Sequence, residues 1–233
     1  MSPSHVRKIK LRAEHVDCYR RLRASTLMKL FQEMCVEHTE MLGMGREKTL
    51  DKGLLWVVNA ETAVINRWPE YGEEITLECH PGRTLHYFFP RAMTVTGGGG
   101  ETLIRVGAMW SLIERASRRM ADPSEHGVFI DGEEREGDLQ PKMSIPARET
   151  PFSASFRADY SLVDLNGHMN NAAYIDKCMD VPDPRDFCKT PVKELNCLFK
   201  RELTLGEDCF LKYGVDGGVY HFSCDNFIIE LSK

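Results

Sequence analysis

Asp164, Asn166 and His168 place a carboxylate, an amide and an imidazole at alternate positions of the run Asp164-Leu165-Asn166-Gly167-His168-Met169-Asn170-Asn171. Alternate residues of an extended segment point to one side, so the three groups would line one cleft. The helix-compatible run Ala172-Ala173-Tyr174-Ile175-Asp176-Lys177 follows. Asn170 or Asn171 suits its N-cap, which would leave free amide N–H groups and the positive dipole end beside the triplet. Such donors hold a carbonyl oxygen as it turns anionic, next to groups able to activate water or a nucleophile. The chemistry indicated is acyl transfer or hydrolysis. The same letters also spell an ordinary turn, since Asn166-Gly167 is a strong hairpin signal and Asp and Asn abound in turns.

The elements that must position these groups recur along the chain. Leu11-Arg12-Ala13-Glu14 resembles Phe156-Arg157-Ala158-Asp159 at an offset of 145, and Gly72 to Leu77 resembles Gly206 to Leu211 at an offset of 134. Two echoes in the same order indicate two copies of one fold, the first lengthened by 11 residues in a helix or loop. In each copy a short strand precedes a helix, and several strands follow. Leu27, Leu30, Phe31, Met34, Cys35, Met41 and Leu42 recur at helical spacing from Thr26 to about Leu42, with Ser25 as cap and Gly43 as stop. Strand-like runs follow at Leu54–Arg67, Glu74–His80, Leu85–Val95 and Thr102–Ile113, then in the second copy at Lys193–Thr204, Cys209–Val215 and Val219–Leu231. Gly97 to Gly100 reads as a hairpin tip without the Lys-Ser/Thr ending of a phosphate loop. Between the copies, Pro123, Pro141, Pro146 and Pro151 bracket an acidic stretch from Asp131 to Asp138, a connector with a solvated surface. Moved back by 145, Asp164, Asn166 and His168 fall on Tyr19, Arg21 and Arg23, so only the second copy is equipped for chemistry.

Bulk properties narrow the classes. With 233 residues and 42% hydrophobic content the chain can bury a substantial core. A net charge of −5 and the absence of a zinc-finger or RNA-binding motif argue against nucleic acid as a partner. No secretory signal follows Met1-Ser2-Pro3-Ser4-His5-Val6-Arg7-Lys8, and no run of about 18 apolar residues is present to span a membrane. The eight cysteines, Cys18, Cys35, Cys79, Cys178, Cys188, Cys197, Cys209 and Cys224, include no Cys-x-x-Cys pair. A zinc site is therefore not expected, and the thiols read as reduced and mostly buried in a cytoplasmic protein. Neither a metal nor a cofactor is expected.

Taken together, the chain resembles the acyl-acyl carrier protein thioesterases of bacteria and plants. The likeness runs through Leu55-Trp56-Val57-Val58, Arg67-Trp68-Pro69 with Gly72-Glu73, Trp110, and Ser117-Arg118-Arg119. In the second half it covers Asp164 to Tyr174, Phe199-Lys200-Arg201-Glu202 and Gly206-Glu207. The resemblance implies an α+β double hotdog, two tandem modules that each wrap an antiparallel sheet around a central helix. It implies an N-terminal module over residues 1–120 that binds the acyl chain, a connector over 121–151, and a catalytic module over 152–233. The expected reaction is hydrolysis of fatty acyl-acyl carrier protein to free fatty acid, which ends fatty acid synthesis. Hydrolysis of acyl-CoA, or acyl binding without turnover, are the alternatives on the same fold.

Roles carry over residue by residue. Asp164, Asn166 and His168 match the family's Asp-x-Asn-x-His, and Glu202 matches the glutamate of its Arg-Glu motif. On this reading Glu202 and His168 activate water, Asn166 orients substrate or water, and Asp164 holds the local geometry or fixes the imidazole tautomer. A transient anhydride formed by a carboxylate is the other route. Plant members often carry a cysteine just after the glutamate; here Leu203 stands there, so an obligatory cysteine nucleophile at that place is excluded. Without the resemblance, Glu202 reads as an exposed strand charge beside Arg201. The implied partner is an acidic carrier protein, which local basic clusters would guide: Arg7-Lys8-Ile9-Lys10, Arg20 to Arg23, Arg115 to Arg119, and Lys200-Arg201. A homodimer is also compatible with the fold.

Overall fold

The computed structural model describes residues 4–183 and 185–233; the side chains of Cys188 and Lys189 lie outside that description. The first copy comprises β1 (His5–Lys10), α1 (Ala24–Met41), β2 (Leu54–Ile65), β3 (Glu74–Pro81), β4 (Phe88–Thr96) and β5 (Thr102–Glu114). The second comprises β6 (Phe152–Arg157), α2 (Asn171–Asp180), the one-turn helix α3 (Asp186–Lys189), β7 (Glu194–Phe199), β8 (Asp208–Asp216), β9 (Val219–Ser223) and β10 (Phe227–Ser232). The ten strands form one sheet in the order β1-β3-β4-β5-β2-β7-β10-β9-β8-β6, antiparallel throughout. The order reads the same from both ends when β1 is matched with β6, β3 with β8 and β2 with β7. The fold is thus an α+β double hotdog whose two sheets join where β2 pairs with β7, Ala60 opposite Leu198 and Val64 opposite Glu194.

Strands β3 and β8 alternate, so their apolar face closes on the helices, whereas β2, β4 and β5 are buried along most of their length. Met28, Phe31 and Met34 of α1 and Tyr174, Ile175 and Cys178 of α2 are buried in one core with Leu77, Val106, Phe222 and Ile229 of the sheet. Helix α1 starts at Ala24, one residue before the sequence-based cap. Ser25 lies inside it, 1% exposed, because its hydroxyl hydrogen-bonds to Asp176 of α2 rather than capping its own helix. The stop is at the expected place, with Gly43 in the left-handed region at φ +73°.

Two strand-like runs are shorter than their patterns indicate. The run Val219–Leu231 divides into β9 and β10, since Cys224-Asp225-Asn226 turns and the Cys224 N–H donates to the Phe227 carbonyl at 3.0 Å. The run Lys193–Thr204 ends at Phe199, after which the N–H groups of Lys200 and Arg201 both donate to the Asn226 carbonyl, at 2.8 and 3.1 Å. Glu202 therefore lies in a loop beyond β7 and not on a strand.

Residues 121–151 hold no helix or strand and cross the sheet's outer face as a strap. Lys142 N–H donates to Thr62 Oγ1 at 2.9 Å, and His80 bonds Asp138 at 2.9 Å. Gly107 of β5 and Gly214 of β8 allow this close approach: a Cβ there would collide with the carbonyl oxygens of Leu139 and Glu149. Val128, Ile130 and Ile145 of the strap are buried, while Asp131, Glu133, Glu134 and Glu136 are exposed. Among the described residues no helix is long and apolar enough to cross a membrane.

The structure corrects the offset between the copies. The bridge Val16–Leu22 corresponds to Val163–Met169, and the bond from Leu11 N–H to Glu73 corresponds to that from Ala158 N–H to Glu207. The early offset is therefore 147 rather than 145, because the sequence echo aligned Leu11 with a residue still inside β6. Asp164, Asn166 and His168 fall on Asp17, Tyr19 and Arg21. The later offset is 134, as read from the sequence, so the first copy carries 13 extra residues. Most of them lie in α1, which has 18 residues against 10 in α2, and in the start of β2, which runs past the end of β7.

Candidate active site

The segment around His168 is a turn, not an extended strand. Val163 and Met169 form a bridge, the Asp164 N–H donates to the His168 carbonyl at 2.9 Å, and Gly167 sits at φ +81°. The period-two argument for a shared face therefore fails, and the Asn166-Gly167 turn signal prevails. Asp164 organises the turn: its Oδ1 accepts the Asn166 N–H at 2.8 Å. Asp17 does the same for Tyr19 and Arg21, at 2.8 and 3.0 Å. The aspartate is present in the copy that lacks the imidazole, which is what a turn-building role requires. Among the described residues the Asp164 carboxylate makes no bond to the imidazole. Asn166 is exposed at the tip of the turn.

What the turn does is deliver His168 to the start of α2. Asn170 is the N-cap, accepting the Ala172 N–H at 3.0 Å, and Ala173 N–H donates to the Asn170 carbonyl at 2.9 Å. Among the described residues the Asn171 N–H has no partner, at the helix end where such donors face a ligand. The Met169 N–H donates to the Leu203 carbonyl at 2.8 Å, which fastens the turn to the loop after β7. That bond brings Glu202 alongside: His168 Nε2 lies 3.3 Å from Glu202 Oε2. The imidazole side chain is 12% exposed and the carboxylate 35%. The structure thus joins His168 and Glu202, places Asp164 behind them in the turn, and leaves Asn166 outside.

A third side chain completes the cluster from the other copy. Arg118, in the turn after β5, donates from Nη2 to His168 Nε2 at 2.9 Å and from Nη1 to Glu202 Oε1 at 3.2 Å. The extra length of the first copy makes this reach possible, since β2 and β5 extend together past the β2–β7 junction, Leu54 opposite Glu114. Sequence reasoning placed Arg118 in a motif and in a basic cluster but gave it no role. No local signal could have done so, because its partners lie 50 and 84 residues away.

Beside the cluster, the buried face of β2 runs into the interior. Trp56, with Leu42, Met44, Phe89, Trp110 and Leu112, forms a separate apolar group, and the Trp56 ring meets Phe89 edge-on at 4.8 Å. Deeper along the same face, Glu61 is 0% exposed. Gln32 donates to its Oε1 at 3.2 Å, its Oε2 has no partner among the described residues, and burial pushes its carboxyl up to about 7. In the first copy, the position equivalent to Glu202 holds Trp68, buried and donating to the Val192 carbonyl at 2.7 Å, and Arg21 stands in place of the histidine. That end of the molecule holds a small cleft lined by Asp17, Arg21, Leu22, Trp68 and Val192, and carries an arginine and an indole in place of the imidazole–carboxylate pair.

Comparison with known proteins agrees with this architecture. Residues 3–126 match the family model for the acyl-ACP thioesterase N-terminal domain, and residues 146–227 match that for the C-terminal domain. The chloroplastic palmitoyl-acyl carrier protein thioesterase of Arabidopsis thaliana is 23% identical over 218 residues, 87% of this chain and 52% of that protein. The chloroplastic dodecanoyl-[acyl-carrier-protein] hydrolase of Cinnamomum camphora is 23% identical over 198 residues, 77% of this chain and 51% of that protein. The chain spans about half the length of the curated relatives it matches. Among solved structures, an acyl-ACP thioesterase from Bacteroides thetaiotaomicron has a TM-score of 0.84 at 18% identity, covering 98% of this chain and 97% of its own. The 12:0-ACP thioesterase of Umbellularia californica has a TM-score of 0.83 at 18% identity, covering 98% and 96%. These two likenesses establish the fold.

Proposed function

The chain belongs to the acyl-ACP thioesterase family, and from that premise we propose that it hydrolyses the thioester of fatty acyl-acyl carrier protein to release free fatty acid. The observation that carries this reading is the His168–Glu202 pair at 3.3 Å beside the capped start of α2. In the reaction, water attacks the thioester carbonyl carbon as His168 Nε2 takes one of its protons. The Asn171 N–H donates to the oxygen that becomes anionic, a bond that strengthens in the transition state. Collapse of the tetrahedral intermediate breaks the carbon–sulfur bond, and the departing thiolate takes the proton back from His168. Glu202 stabilises the imidazolium formed in between. Asp164 holds the turn, and Asn166, exposed at its tip, hydrogen-bonds the incoming pantetheine arm.

The second half supplies this chemistry, and the first supplies the surface for the acyl chain. The chain would lie along the buried face of β2, past Trp56 and Trp110. An acidic carrier protein would dock over the site itself, where two of the four basic clusters meet. The turn bearing Arg115, Arg118 and Arg119 touches the loop bearing Lys200 and Arg201 through the Arg118–Glu202 contact, and Arg115, Arg119 and Lys200 are exposed. Edge strands β1 and β6 are open to a second copy, and sedimentation would detect a homodimer.

The test is hydrolysis of a chain-length series of acyl groups, each offered on acyl carrier protein and on coenzyme A, with His168→Ala as control. Turnover on the carrier protein that is lost in the variant supports the proposal. Turnover on coenzyme A alone moves the substrate to acyl-CoA, and binding without turnover replaces the enzyme with an acyl sensor.

A further inference from the structure

Resting on that reaction, we propose that Arg118 is a positioning residue that decides which nitrogen of His168 carries the proton. A guanidinium has donors only and does not deprotonate in proteins. Its 2.9 Å bond to His168 Nε2 therefore requires a lone pair on that nitrogen, and a neutral imidazole then holds its proton on Nδ1. The same Nε2 lies 3.3 Å from Glu202 Oε2, where a hydrogen bond would require Nε2 to carry the proton. One nitrogen cannot serve both neighbours. Arg118 resolves the competition in favour of the lone pair, which is the form that can accept a proton from water.

The geometry suits this task. Nη2 meets the imidazole while Nη1 stands 3.2 Å from both oxygens of Glu202. A fork of fixed shape spans two acceptors that a lysine ammonium would meet as a single point. The backbone is committed as well: Arg118 sits at φ +58°, uncommon for a residue with a Cβ. Its N–H donates to the Glu114 carbonyl at 2.9 Å, and Glu114 N–H donates to the Arg119 carbonyl at 2.8 Å. A turn so closed aims the side chain across the boundary between the copies. The guanidinium side chain is 42% exposed, so Nη2 can yield its place to water while Nη1 remains on Glu202. Without Arg118, His168 turns an Nε2–H to Glu202, and the water loses its base.

The experiment reads the imidazole nitrogens of His168 by 15N NMR in the intact protein, alongside kcat and KM, for the wild type, Arg118→Ala and Arg118→Lys. His168→Asn assigns the resonances, and thermal melting checks the fold. The wild type should show the Nδ1–H tautomer. In Arg118→Ala the proton should move to Nε2, with kcat falling roughly a hundredfold, as for loss of a general base, and KM little changed. Arg118→Lys should show a mixed tautomer and intermediate kcat. Free guanidinium ion at low concentration should restore part of the kcat of Arg118→Ala. An unchanged Nδ1–H tautomer in Arg118→Ala, or a kcat within about twofold of wild type, overturns the proposal. The tautomer is read without substrate, so a shifted tautomer in a protein that hydrolyses no thioester supports the role of Arg118 and rejects the proposed reaction.

Discussion

Replacing Glu61 with glutamine should make the protein more stable at neutral and alkaline pH and leave it nearly unchanged in acid. Glu61 is fully buried in the inner face of β2, its Oε2 has no partner among the described residues, and its carboxyl is pushed up to about 7 from 4.5 by burial. Between those two values the folded state keeps a proton that the unfolded chain has released. Stability linked to this group is therefore fully present below about 4.5, falls as pH climbs, and is lost above about 7. The difference of about 2.5 units corresponds to about 3 kcal/mol, of which about 2.5 kcal/mol should disappear between roughly pH 5 and pH 8. Glutamine keeps the shape and an oxygen for the Gln32 amide but cannot ionise. Urea unfolding of both proteins across that range gives the comparison, and the difference between variant and wild type cancels all other titrations. A gap that opens by about 2.5 kcal/mol towards alkaline pH is the expected result. Parallel curves would refute the reasoning, since they would mean that the buried carboxyl titrates no differently when folded.

Four further outcomes are expected. His168→Ala and Glu202→Ala should each lower kcat on acyl-acyl carrier protein by about a hundredfold or more; wild-type turnover in both would remove the assignment of the site. The kcat/KM on the carrier protein should fall steeply as salt rises from about 0.05 to 0.5 M, and a flat profile would count against electrostatic docking at the Arg115–Arg119 turn. Asn170→Ala should cost about 1 kcal/mol of stability through loss of the α2 cap, seen as a lower urea midpoint. Gly107→Ala should cost about 2 kcal/mol or more, because the strap carbonyl of Leu139 occupies the space of the new methyl group; an unchanged melting temperature would show that the strap is loosely held.

Local chemistry was legible where a few neighbouring residues decide the outcome. The apolar stripe from Leu27 to Leu42 marked α1, Gly43 marked its end, and the pair Asn170-Asn171 marked the start of α2, where the structure makes Asn170 the cap, because helix periodicity and capping act within a turn or two. Asn166-Gly167 marked the turn that the structure contains, and the competing extended reading failed because Gly167, in the left-handed region, reverses the chain there. Ser25 shows the limit: its hydroxyl had the right chemistry for a cap and was taken by Asp176 on another helix. The two-copy organisation could be read from sequence echoes, but the early offset was wrong by two residues, which hid Asp17 as the counterpart of Asp164.

Pattern and composition by themselves determined the number of copies, the order of a short strand, a helix and then strands in each, and which copy holds the imidazole. Tertiary structure decided which of the candidate groups meet. The pairing of β2 with β7 sets two copies side by side, the longer β2 and β5 carry a turn across that boundary, and Arg118 then reaches His168 and Glu202. Those contacts depend on sheet register and on distances in space between residues far apart in the chain. No spacing rule along a sequence encodes them, whereas a cap or a turn is formed by residues that chain connectivity already holds together.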